Sequence, residues 1–199
     1  FDQVETSDEA GALRYAFFSE REIARLPGLP KDLETPEIQS MAVVGAGTMG
    51  GGIAMSSADA GFPVKLMDAT PEDLENGMAR IRANYQKSVD RGSLTQEDMV
   101  ARLGRLEPVA GYDDIGECEA VTVAAFERMP VKKEIFKELD RVMKPGALLF
   151  TNTSALNIDE IADVTERPEV VAGTHFFVPA NVMKLFEVVH ATKTSRETL

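Results

Sequence analysis

Two stretches of the chain carry residues whose types and spacing suit chemistry. The first is Gly45-Ala46-Gly47-Thr48-Met49-Gly50, a complete G-x-G-x-x-G, with Asp68 placed 23 residues after Gly45. The loop sits between an apolar run, Met41 to Val44, and a helix-like run, Met49 to Ala60. In that context each glycine has its own physical role. Gly45 permits a tight turn, Gly47 lets the backbone approach a pyrophosphate, and Gly50 lets the helix pack on the strand. The N–H groups opening such a helix then face the phosphates. A carboxylate at Asp68, closing the second strand Val64 to Asp68, would accept from ribose hydroxyls and repel a 2′-phosphate, which favours NAD over NADP. The bland alternative is a glycine-rich turn without a ligand, with Asp68 as a helix-start residue.

The second stretch surrounds His175, one of only two histidines. Imidazole titrates near neutrality and can take a proton from an alcohol. The run Val170 to Phe176 reads as a strand, so His175 falls at a strand end, where open α/β sheets hold ligands. A purely structural histidine is the alternative.

The elements that must position these groups alternate. Met41 to Asp68 predicts strand, turn, helix and strand. Pro71 after Thr70 opens a helix running to about Asp90, with acidic residues in its first turn. Thr95, with Asp98 three residues on, opens another. These two helices form an inserted pair. Leu106 to Val109, Ala120 to Ala125 and Leu148 to Thr151 read as short buried strands, Val131 to Lys144 as an amphipathic helix, and Leu185 to Val189 as a last strand. The fold class expected is α/β, a Rossmann-type, mostly parallel sheet covered on both faces. Ahead of it, Glu9 to Arg25 has helical spacing of Leu13, Ala16, Phe17 and Ile23, and Leu26 to Ser40 is rich in proline and glycine. The predicted organisation is a helix and linker over residues 1–38 and a dinucleotide-binding domain over residues 39–199, with the boundary near Glu37.

Composition narrows the partners. The net charge of −12 argues against nucleic acid, because phosphate backbones require Lys and Arg. One cysteine, Cys118, excludes an intrachain disulfide and a Cys/His metal cluster. It suits a cytoplasmic compartment, with an organelle matrix as the alternative. No apolar run reaches the length of a membrane span. The chain opens on Phe1 and ends without a closing element, which reads as a piece of something longer.

Two further segments, Thr151-Asn-Thr-Ser-Ala-Leu156 and Gly173-Thr-His-Phe-Phe-Val-Pro-Ala-Asn, complete a pattern. From about Ser40 to Val189 the chain resembles the 3-hydroxyacyl-CoA dehydrogenase family. Leu13-Arg-Tyr-Ala-Phe-Phe-Ser-Glu-Arg21 resembles the piece that joins hydratase and dehydrogenase parts in multifunctional β-oxidation enzymes. The resemblance implies NAD-dependent oxidation of an L-3-hydroxyacyl-CoA. It implies His175 as general base, Glu187 as the acid that fixes its tautomer, and Ser154 as a hydroxyl on the substrate oxygen. Met49, Glu127 and Lys132 match cofactor contacts. The resemblance also implies a helical C-terminal domain beyond this chain, and a homo-oligomer or fused hydratase domain. Blander roles stand beside these: Glu187 as a surface charge on an edge strand, Ser154 as the N-cap of a helix near Leu156, Lys132 on a solvated helix face.

Two residues depart from the family pattern: Val178 where Asn or Ser follows His-Phe-Phe, and Val123 where an acid precedes Ala-Ala-Phe-Glu. They leave open an NAD-binding domain that has lost catalysis. A dehydrogenase for another substrate, such as a sugar acid, is a third reading. Arg80, Arg82, Lys87 and Arg91 are the candidates to meet CoA phosphates.

Overall fold

The computed structural model describes residues 5–23, 30 and 32–199. They divide into two units, Phe1–Glu34 and Thr35–Leu199. The first holds helix α1, Asp8–Glu22. The Ser7 hydroxyl caps it by accepting from Ala10 N–H, and Asp8 and Glu9 face the positive end of its dipole. No residue of α1 is buried, and Leu13, Phe17 and Phe18 are exposed, so the apolar spacing builds no core within this unit. The last residues of the expected helix, Ala24 and Arg25, lie outside the described residues.

The second unit is one seven-stranded sheet in the order β3-β2-β1-β4-β5-β6-β7. Its strands are β1 (Met41–Val44), β2 (Val64–Met67), β3 (Leu106–Pro108), β4 (Ala120–Val123), β5 (Leu148–Thr151), β6 (Val171–Phe176) and β7 (Phe186–His190). The first six run parallel and β7 pairs antiparallel with β6. The chain steps outward from β1 through β2 and β3, then returns to lay β4 on the other side of β1. That reversal opens a crevice at the carboxyl ends of β1 and β4.

Helices cover both faces. On one, α2 (Thr48–Asp59), α3 (Pro71–Asp90) and α4 (Gln96–Leu103) pack Ile53, Met55, Ile81 and Tyr85 onto Val43 and Leu66. On the other, α5 (Met129–Val142) and α6 (Ile158–Ala162) pack Phe136, Leu139 and Ile161 onto Val44, Val121 and Leu149. Burial on both faces explains why β1 and β4 read as unbroken apolar runs.

Local chemistry sets the helix starts. Thr70 and Thr95 accept from Asp73 N–H and Asp98 N–H, and Pro71 fills the first turn of α3. The inserted pair α3 and α4 is therefore present as the sequence predicts. Strand β3 corrects an expectation. Only Leu106 in it is buried, because β3 is the outermost strand, where Pro108 costs no ladder bond. Among the described residues no helix is long and apolar enough to cross a membrane.

Candidate active site

The glycine loop joins β1 to α2. Gly45 has φ +102°, and a Cβ there would lie 2.7 Å from Ala124 O. A Cβ on Gly50 would sit 1.7 Å from Gly45 O, so the first turn of α2 seats directly on the loop. Gly47 differs: a Cβ there meets nothing within 4 Å. Gly47 is also the N-cap of α2 with no side-chain cap, which leaves the opening N–H groups of the helix for a ligand.

Asp68 follows β2 and braces the loop. Its Oδ2 accepts from Ala46 N–H and its Oδ1 from Ala69 N–H, both at 2.6 Å. Each oxygen keeps a lone pair for a ribose hydroxyl. A cleft of about 640 Å³ runs past Gly45, Gly47, Met49, Asp68, Tyr112 and Phe126. Open space over Gly47, uncapped amides and a carboxylate at the second strand end together fit a dinucleotide.

Helix α3 leans on the same loop. A Cβ on Gly77 would stand 2.4 Å from Ala46 Cβ, and the Arg80 guanidinium donates to Ala46 O at 3.1 Å. Of the four basic candidates, Arg80 and Lys87 line one small cavity with Gly47 and Thr48, while Arg82 lines another beside Asp68. Arg82 is thus separated from the other two by the helical period.

At the ends of β5 and β6, on the far side of β4 from β1, stand Ser154 and His175, with Glu187 beside them on β7. His175 Nδ1 lies 2.7 Å from Glu187 Oε2, and Nε2 lies 3.3 Å from Ser154 Oγ. An ionised carboxylate can only accept, so Nδ1 carries the proton and the lone pair of neutral imidazole falls on Nε2. Ser154 Oγ–H then donates to Nε2. Strand register explains the first contact, since His175 and Glu187 are direct partners in the β6–β7 pair. Glu187 is therefore paired with His175 as well as lying on an edge strand. Ser154 is not a helix N-cap; that role falls to Asn157, whose side chain accepts from Asp159 N–H at the start of α6.

Glu127, after β4, holds the Ser154 loop. Its Oε1 accepts from Ser154 N–H at 2.8 Å and from the Thr153 hydroxyl. The same hydroxyl accepts from Leu156 N–H at 3.0 Å. Lys132 is not on a solvated face. It is fully buried, and Nζ donates to Val123 O at 3.0 Å and Asn152 O at 2.9 Å. The first turn of α5 crosses the ends of β4 and β5, where Val123 O also accepts from Asn152 N–H and its second lone pair meets the ammonium. Burial pulls the Lys132 pKa down to about 8, against the opposing pull of Glu127. Asn152 and Thr153 hydrogen-bond around this loop, roles that the sequence does not assign, although a polar run directly after an apolar strand marks them.

Residues 40–199 match the family described as 3-hydroxyacyl-CoA dehydrogenase, NAD binding domain. The chain belongs to this family. A peroxisomal bifunctional enzyme of Danio rerio is 41% identical over 198 residues, covering 98% of this chain and 27% of that protein. A probable 3-hydroxybutyryl-CoA dehydrogenase of Bacillus subtilis is 41% identical over 162 residues, covering 81% and 56%. The crystal structure of 3-hydroxybutyryl-CoA dehydrogenase from Escherichia coli K12 superposes with a TM-score of 0.80 at 44% identity, over 82% of this chain and 34% of that one. The chain spans about a quarter of the length of the bifunctional relatives.

The dehydrogenase-family domain binds NAD and carries the expected fold. Its departures have clear surroundings. Val123 is fully buried in the α5-side core, and only its carbonyl meets Lys132. Val178 is exposed and offers no polar group.

Proposed function

We propose that the protein containing this chain oxidises L-3-hydroxyacyl-CoA thioesters to 3-oxoacyl-CoA, as in fatty-acid β-oxidation, with NAD as hydride acceptor. The observation that carries the reading is the line Ser154–His175–Glu187, with Ser154 and His175 at the carboxyl ends of β5 and β6, the same edge of the sheet at which the glycine loop follows β1. Bound NAD would supply the oxidant for the substrate C3 hydrogen. His175 Nε2 takes the hydroxyl proton as that hydrogen leaves. Glu187 keeps the lone pair on Nε2 and stabilises the imidazolium that forms. Ser154 donates to the oxygen as it becomes a carbonyl. Glu127 fixes Ser154 through its backbone, and Lys132 fixes the strand ends beneath. The names of the relatives, peroxisomal bifunctional enzyme and 3-hydroxybutyryl-CoA dehydrogenase, support this class of substrate.

The length of the bifunctional relatives supports a further domain fused to this one, which we take to be hydratase-like and joined through residues 1–38. Peroxisomal relatives favour an organelle matrix over the cytoplasm. Arg80 and Lys87 are the basic residues best placed for CoA phosphates.

The test is NADH formation by the full protein with a 3-hydroxyacyl-CoA. His175→Ala should lower kcat by ~10²-fold or more while NADH binding persists. An unchanged rate removes His175 from the reaction and favours a domain that binds NAD without catalysis. Oxidation of a sugar acid in preference to the thioester supports the other dehydrogenase reading.

A further inference from the structure

We infer that Asn152 is a positioning residue that sets the distance between Ser154 and His175. The inference rests on the dehydrogenase reading of that pair. The parallel ladder of β5 and β6 ends at the pair Thr151 and Gly173. By strand alternation the backbone of Asn152 faces β4: its N–H donates to Val123 O at 2.9 Å, and its carbonyl accepts from the buried Lys132 ammonium. The backbone acceptor due to the next rung of β6 would be Thr153 O, which lies past the last pair of the ladder. Phe176 N–H, one residue past His175, would be left without an acceptor. The side chain of Asn152 supplies one, with Oδ1 3.1 Å from Phe176 N. A donating N–H requires the oxygen and not the amide nitrogen at that place.

One residue thus grips both sides of the reacting pair. Two residues ahead of it in the chain is Ser154, and one residue before its partner is His175. Among the described residues, the only other side-chain bond joining residues 152–157 to β6 is the Ser154–His175 contact itself, at 3.3 Å. That contact is already long, so a further displacement of a few tenths of an ångström breaks it. Glu187 approaches His175 from β7 and does nothing to hold β5. Thr153 and Glu127 order the Ser154 loop locally but make no bond to β6.

The experiment is a double-mutant cycle in the full protein, read by steady-state kinetics with a 3-hydroxyacyl-CoA and by NADH titration. Asn152→Ala should lower kcat by about 10-fold or more, because misplacement of a reacting group is costly. KM for the acyl-CoA and the NADH affinity should move less than about two-fold. In a Ser154→Ala background the same change should cost less than about two-fold, since the distance it maintains no longer matters. A residue that merely supports the fold would give equal losses in both backgrounds, and that additive result overturns the proposal. Asn152→Asp keeps an acceptor for Phe176 N–H and should retain kcat within about three-fold. If Asn152→Ala does not fold, an Asn152→Asp protein that folds but has lost as much kcat as Ser154→Ala overturns the proposal on its own. Should Ser154→Ala and His175→Ala both leave the rate unchanged, the dehydrogenase reading fails first.

Discussion

Glu187 stands directly opposite His175 in the antiparallel β6–β7 register, and its Oε2 meets the imidazole Nδ1 at 2.7 Å. A single backbone pairing therefore delivers both members of the dyad. The Glu187 side chain is 52% exposed, so its contact adds little to stability, and its consequence is the orientation of the ring. The antiparallel pairing of β7 brings the carboxylate to this edge directly, whereas a parallel neighbour would need a crossover to do so.

Glu187→Gln separates orientation from charge. The amide can still occupy the site of the carboxylate, but it no longer stabilises an imidazolium. We expect kcat to fall by at least about 10-fold, within the range that positioned acid–base groups contribute. NADH affinity should be unchanged, because Glu187 is remote from the glycine loop in the sheet order. Steady-state kinetics and a fluorescence titration check both halves, and a normal kcat contradicts the role.

The glycines of the loop should separate in their effects. At Gly50 a Cβ would collide with Gly45 O. Gly50→Ala should therefore lower stability by about 1–3 kcal/mol, as overpacking does, or block folding. At Gly47 a Cβ meets open space in the protein. Gly47→Ala should fold with a near-normal melting temperature yet bind NADH about 10-fold or more weakly, since the methyl group takes room needed by the pyrophosphate. Thermal unfolding with and without NADH reads both. Tight NADH binding by Gly47→Ala would contradict the placement of the phosphates.

Lys132 gives a pH-dependent prediction. Its folded pKa, about 8, lies below its ordinary value of 10.5. Between those values the unfolded chain binds more protons than the folded one, so this site makes stability rise with pH across that window. Below the folded pKa both states carry the proton, and the cost of the buried ammonium is fully present. The stability of the wild type relative to Lys132→Met should thus increase from pH 8 to pH 10, by at most about 3 kcal/mol. Urea denaturation of the pair at the two pH values tests this, with other titrating groups cancelling in the difference. A flat difference means that the amine titrates normally.

Much of this fold is legible in the sequence because its signals are local. The glycine loop, the Thr70 and Thr95 caps and the bounds of α3 and β5 each follow from a few adjacent residues. His175 is legible by its motif and its strand end. Less so is Lys132: amphipathic spacing places it on α5, but its burial depends on how α5 crosses the carbonyl ends of β4 and β5. Ser154 is singled out in the sequence by its motif, with a helix cap as the blander alternative, because a hydroxyl before an apolar run so often is one. Its actual partners come from residues 27 positions back and 21 positions ahead. Asn152 shows the same limit, since its acceptor role appears only once the β5–β6 ladder is seen to stop.

The most direct measurement is a crystal structure of the full protein with NADH and a 3-oxoacyl-CoA. The account predicts the pyrophosphate on the amides opening α2, the adenosine ribose on Asp68, and the nicotinamide ring beside the C3 carbonyl of the acyl chain, with that carbonyl within hydrogen-bond reach of His175 Nε2 and Ser154 Oγ. A dinucleotide bound elsewhere, or a nicotinamide too far from the imidazole for the substrate to touch both, would contradict it.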